Sequence, residues 1–187
     1  MKPTLRTPIV ALCFFSFFSQ IVAIGRPVTS QDADSQTAAF ILSIRQRYAN
    51  INKRVSRYKK IKKELSGFSL EGGEMIAYFD GPAIVKVVAN HSGESGRAVE
   101  EYYYSNAKLI FVLRKDLTYN RPLSGKVVKT TVNRFYFQAD RLIRWVNESG
   151  KQVDSSGAEY QENQNEYLEA SRKFVDGARS KNATIEA

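Results

Sequence analysis

Side chains able to drive acid–base, nucleophilic or metal chemistry are few in this sequence. The 187 residues include one histidine, His91, and one cysteine, Cys13. His91 stands in the stretch Asn90-His91-Ser92-Gly93-Glu94-Ser95-Gly96, where Ser92, Ser95 and Glu94 supply the residue types of a Ser–His–acid triad. Groups this close on one short loop cannot reach triad geometry, and no G-x-S-x-G elbow occurs, so His91 reads as a solvated loop histidine. The sequence has no H-E-x-x-H, no cysteine pair and no Asp-rich calcium loop. Glu100 and Glu101 are adjacent, and neighbouring strand residues face opposite ways, so they cannot act as one carboxylate pair. Nothing selects two glycosidase-type acids among Glu71, Glu74, Asp80, Glu100 and Asp116. Glu71-Gly72-Gly73-Glu74 lacks the spacing of a phosphate-binding loop and precedes a strand, so it reads as a turn. No catalytic residue, metal, cofactor or small-molecule substrate is assigned.

The elements that would carry any site begin after an export signal. Lys2 and Arg6 precede the apolar run Ile9 to Phe18, and Ala23-Ile24-Gly25 supplies small residues for cleavage. Residues 1–25 therefore read as a signal peptide, too short in its apolar core for a span of about 20 residues. Its removal takes away Cys13 and lowers the net charge from +9 to +7. An exported chain without disulfides fits a bacterial periplasm or exterior and must build an ordinary core. Sequons at Asn90, Asn147 and Asn182 matter only in a glycosylating host.

Residues 26–36 are polar and contain Pro27, which suits a flexible leader. Ile41, Ile44, Tyr48, Ile51, Val55, Tyr58, Ile61 and Leu65 then recur at steps of three and four, predicting a long amphipathic helix over about 36–65. Its other face is basic, with Arg45, Arg47, Lys53, Arg54, Arg57, Lys59, Lys60, Lys62 and Lys63 before the first acid, Glu64. From Met75 to about Val153 the pattern changes to strand. The segments 102–113 (YYYSNAKLIFVL) and 135–146 (FYFQADRLIRWV) align without a gap, and 77–88 (AYFDGPAIVKVV) follows the same template more loosely. Each is an aromatic strand, a tight turn and a strand opening on an aliphatic pair, which predicts three hairpins in a six-stranded antiparallel meander. A C-terminal helix follows over about 156–176, with Tyr160, Tyr167, Leu168, Phe174 and Val175 on its apolar side. Its acidic first half suggests packing against the basic helix. Residues 178–187 are expected to form a loose tail. The fold class is α+β, with one domain over 37–177.

The units Tyr103-Tyr104-Ser105-Asn106-Ala107-Lys108-Leu109 and Tyr136-Phe137-Gln138-Ala139-Asp140-Arg141-Leu142 resemble MORN-type hairpin repeats, in the divergent form of some exported bacterial proteins. The resemblance covers about 75 residues and implies an extended sheet used as a scaffold or binding surface. It implies no reaction. The leading expectation is an exported, non-enzymatic protein-binding or scaffold domain, of immunity (antitoxin) or envelope-interaction type. The alternative is a binder of anionic lipid or lipopolysaccharide that uses the basic helix. A wall or glycan hydrolase ranks third, and export disfavours nucleic acid. The candidate binding surface is Tyr102, Tyr104, Tyr136 and Trp145 with Arg54, Arg57, Lys59, Lys60 and Lys63.

Overall fold

Three hairpins set the architecture. In the computed structural model, which describes residues 30–187 and side chains from residue 34, β2 (Gly73–Asp80) pairs with β3 (Ala83–Gly93), β4 (Gly96–Ser105) with β5 (Lys108–Tyr119), and β6 (Val127–Gln138) with β7 (Arg141–Val146). The expected signal peptide, with Cys13, lies outside the described residues. Each hairpin carries a bulge at the same repeat position, between Tyr78 and Phe79, Tyr103 and Tyr104, and Tyr136 and Phe137. The registers leave Val85, Ile110 and Ile143 as the extra residues on the return strands. A bulge breaks alternation locally and tightens the twist. Ile110 and Phe111 accordingly enter the same apolar cluster. Asn106 and Ala107, and Ala139 and Asp140, have positive φ in consecutive pairs, the signature of a two-residue I′ turn.

The sheet has eight strands where six were expected, in the order β7-β6-β5-β4-β3-β2-β1-β8. The two additions are β1 (Lys59–Ser66) and β8 (Thr184–Glu186), which pair in parallel at one edge and make the sheet mixed. The first helix, α1 (Ser30–Lys53), takes in residues 30–36 of the presumed leader and ends twelve residues before Leu65. A 3-10 turn, Val55–Arg57, leads into β1. Two facts explain the shorter helix. Cations at i and i+4 such as Lys53 and Arg57 repel on a helix. The spacing of four between Ile61 and Leu65 is also an even number, so alternation serves it equally well. In β1, Lys63 and Leu65 are buried between exposed Lys62 and Glu64. The C-terminal residues, expected loose, are tied down by β8 and bury Ile185.

The second helix, α2 (Ala158–Arg179), buries Tyr160, Tyr167, Ser171, Phe174 and Ala178. These pack on Tyr102, Tyr104, Val112, Phe135 and Phe137. Ile41, Ile44 and Ile51 of α1 instead join Tyr103, Phe111, Leu113 and Tyr136. The helices therefore cover opposite faces of the sheet and do not pack on each other as expected.

Burial of Lys63 separates the strand from the helical reading. Its ammonium donates to the carbonyls of Ser180 (2.9 Å) and Asn182, just beyond α2. Lys62, by contrast, makes an exposed ion pair with Glu74 at 2.5 Å. Lys63→Met should destabilise the protein by about 1–3 kcal/mol because the charge-assisted bonds from the buried ammonium to the Ser180 and Asn182 carbonyls are lost. Lys62→Met should cost under about 1 kcal/mol, as surface pairs do. Chemical denaturation of both variants checks this, and equal effects would contradict the strand assignment.

Candidate functional site

Alternation on β4 sends Glu100 and Tyr102 toward α2, and Glu101 and Tyr103 toward α1. Both glutamates are buried, with side chains 7% and 12% exposed. A buried carboxylate is costly unless paired and hydrogen-bonded. The neighbouring strands supply the partners on each face.

On the α2 face the register sets Glu100 beside Arg114 and Ala98 beside His91. Glu100 Oε2 accepts from the Tyr102 hydroxyl at 2.7 Å and lies 3.4 Å from His91 Nε2. Its Oε1 accepts from Arg114 Nη1 at 3.2 Å, while Arg114 Nε donates to Asp116 at 2.9 Å. His91 is thus on β3, not on a solvated loop, and its side chain is 14% exposed. This charged row floors a cleft of about 720 Å³ that α2 borders with Glu166, Glu169 and Lys173. Burial alone would raise the Glu100 carboxyl, but His91, Tyr102 and Arg114 together hold it below the usual carboxylate range. A carboxylate so engaged is a weak proton acceptor. His91 Nδ1 is sealed from solvent and has no hydrogen-bond partner among the described residues.

On the α1 face, Glu101 Oε2 accepts from Lys86 (2.7 Å) and the Tyr103 hydroxyl (2.5 Å), and Oε1 from Lys115 (2.8 Å). Asn52 closes the network from α1. Its Oδ1 accepts from Lys86 at 2.9 Å, and its Nδ2 donates to Tyr103 at 3.0 Å. Burial opposes ionisation of Glu101, yet the donors Lys115, Lys86 and Tyr103 bring its pKa down to about 2.

Beyond this network, α1 and the strands β5 and β6 enclose a groove of about 510 Å³. Its walls are Ile44, Tyr48, Phe111, Leu113, Val132 and Tyr136, and its cations are Arg45, Lys115 and Arg134. The Phe111 ring sits between those of Tyr136 and Tyr48, with centroids 4.9 and 5.5 Å away. The Arg45 guanidinium lies 6.0 Å from the Tyr136 centroid. No acidic side chain lines the groove.

Most of the predicted surface is interior. Tyr102, Tyr104, Tyr136 and Trp145 are 0%, 3%, 3% and 7% exposed, because both faces of the sheet lie under helices. Tyr104 accepts a hydrogen bond from Ser171, and Trp145 stacks on Phe135 and donates to Asn133. Tyr136 alone of the four borders the groove. Lys63 is buried, whereas Arg54, Arg57, Lys59 and Lys60 are exposed and form a basic corner with Lys53. Arg45, read only as part of the basic helix face, borders the groove, and four strand residues the sequence reading passed over, Lys86, Arg114, Lys115 and Arg134, surround the two glutamates or the groove. The usable signal was charge at inward-facing strand positions.

Among the described residues no group of three or more His, Cys, Asp or Glu is placed to hold a metal ion, and no helix is long and apolar enough to cross a membrane. The chain matches no protein-family model, no curated protein and no solved structure.

The glutamates set an acid limit on stability. Glu100 and Glu101 both have folded pKa values below the ordinary 4.5. On acidification the unfolded chain takes up these protons first. Stability from both groups is therefore complete above about pH 5 and is lost as pH falls through their lowered folded values, which for Glu101 lies at about 2. Glu101→Gln should remove about 2 kcal/mol of that dependence, allowing for the solvent that reaches the site. Urea midpoints measured from pH 7 to pH 2 should fall steeply for the parent and more gently for the variant; parallel curves would contradict the assignment.

Proposed function

We propose that this chain is an exported, non-enzymatic binding domain whose groove between α1 and the sheet holds an amphipathic anion, the charged head and adjoining chain of an anionic envelope lipid or lipopolysaccharide. The observation behind this reading is a wall of apolar and aromatic side chains edged by Arg45, Lys115 and Arg134, with no acid in the lining. Lys115 is partly neutralised by Glu101. That leaves Arg45 and Arg134 as the cations available to an incoming anion. The groove's volume falls in the range of about 300–1,000 Å³ usual for ligand sites. The exposed corner formed by Lys53, Arg54, Arg57, Lys59 and Lys60 follows directly from α1 and adds long-range attraction to an anionic surface. The α2-side cleft supports the non-enzymatic reading, since its carboxylate and imidazole are engaged or sealed. The likeness to MORN-type hairpins is compatible with a binding scaffold and specifies no ligand. A protein partner, the leading expectation from sequence, would meet α1 and α2 over the central part of each sheet face and the uncovered end of β6.

Titration with monomeric dodecanoate and with phosphatidylglycerol vesicles at low salt tests the reading. Saturable binding that weakens as salt rises is expected. Arg45→Glu/Arg134→Glu should lower affinity by on the order of tenfold or more, whereas Arg54→Glu/Arg57→Glu should affect vesicles and spare dodecanoate. Absence of saturable binding, or equal loss of dodecanoate binding in both double variants, would sink the groove as the site.

A further inference from the structure

We propose that the free edge of β6, over Lys129–Asn133, accepts an extended acidic segment of a partner protein as an added strand. This surface and ligand class are separate from the groove. β6 has twelve residues and β7 six, and β7 pairs only with Arg134–Gln138. Val127–Asn133 is consequently paired with β5 on one side, and among the described residues no backbone group pairs with its other side. Unpaired strand edges are the template on which β-augmentation works. Val127, Val128, Thr130, Thr131 and Val132 are β-branched, which favours the extended state.

The edge is held ready. Backbone bonds from Tyr119 to Ser95 (2.9 Å) and from Leu123 to Glu94 (2.8 Å) brace the β5–β6 loop against the turn between β3 and β4. Asn120 also bonds to Lys126 across the base of the loop. Three of the five large exposed apolar residues among the described residues, Leu123, Val127 and Val128, cluster at this tip. A bulge at Val128 protects the outermost part, since Thr118 pairs with Lys129 and Tyr119 with Val127. Five residues of edge remain beyond it.

Charge selects the occupant. Between Asp116 and Asp140 the chain carries Arg121, Lys126, Lys129 and Arg134 and no acid. A second copy added antiparallel would bring two such cationic strands together, whereas an acidic strand meets complementary charge.

The test uses a synthetic peptide alternating Thr or Val with Glu, added to the full chain and followed by amide hydrogen exchange and affinity. Slower exchange at the outward-facing amides of Lys129–Asn133 is expected. A copy of the peptide N-methylated at alternate residues keeps the charge and loses the ladder bonds, and it should not bind; a Lys-for-Glu copy should not bind either. Lys126→Glu/Lys129→Glu lies on exposed positions outside the groove lining and should weaken binding by about tenfold, leaving dodecanoate binding unchanged. Protection elsewhere, equal binding of the N-methylated peptide, or a free protein already dimerised through this edge would overturn the proposal.

Discussion

Two adjacent carboxylates, buried on opposite faces of one strand, are the constraint around which this molecule is arranged. Glu100 and Glu101 cannot stay ionised in the interior without neighbours that neutralise them and fill their lone pairs. The sheet meets this requirement sideways, with Arg114 and Lys115 from β5 and His91 and Lys86 from β3. It also meets it along the strand, since Tyr102 and Tyr103 each donate to the glutamate two residues before them. Asn52 extends the Glu101 network into α1.

The bulged hairpins explain how charges and rings share one face. The residue after the extra one is Lys86, Phe111 or Arg144 in the three repeats, and the first two of these meet α1 or its apolar cluster. One repeat thus supplies an ammonium to Glu101 and the next supplies the ring at the centre of the groove wall. The groove and the Glu101 network are neighbouring consequences of one repeated backbone irregularity.

Much of this was legible in the residues. The ungapped alignment of 102–113 with 135–146 located two hairpins and their turns, and the spacing from Tyr160 to Val175 located α2. The boundary at Lys53 was not legible, because Ile61 and Leu65 satisfy helical and alternating patterns alike. Four aromatics offered as surface, Tyr102, Tyr104, Tyr136 and Trp145, are buried because covering helices on both faces are a tertiary fact that neither strand records. Alternation correctly separated Glu100 from Glu101. It could not show that each becomes the centre of its own network, since Lys86 and Arg114 are brought in by register and Asn52 by the packing of α1 on the sheet.

The arrangement is tested most directly by following the side-chain carboxyl carbons of Glu100 and Glu101 by NMR as the folded protein is acidified. The networks described require Glu101 to titrate near pH 2 and Glu100 below 4.5. A midpoint at or above 4.5 for either glutamate would contradict them.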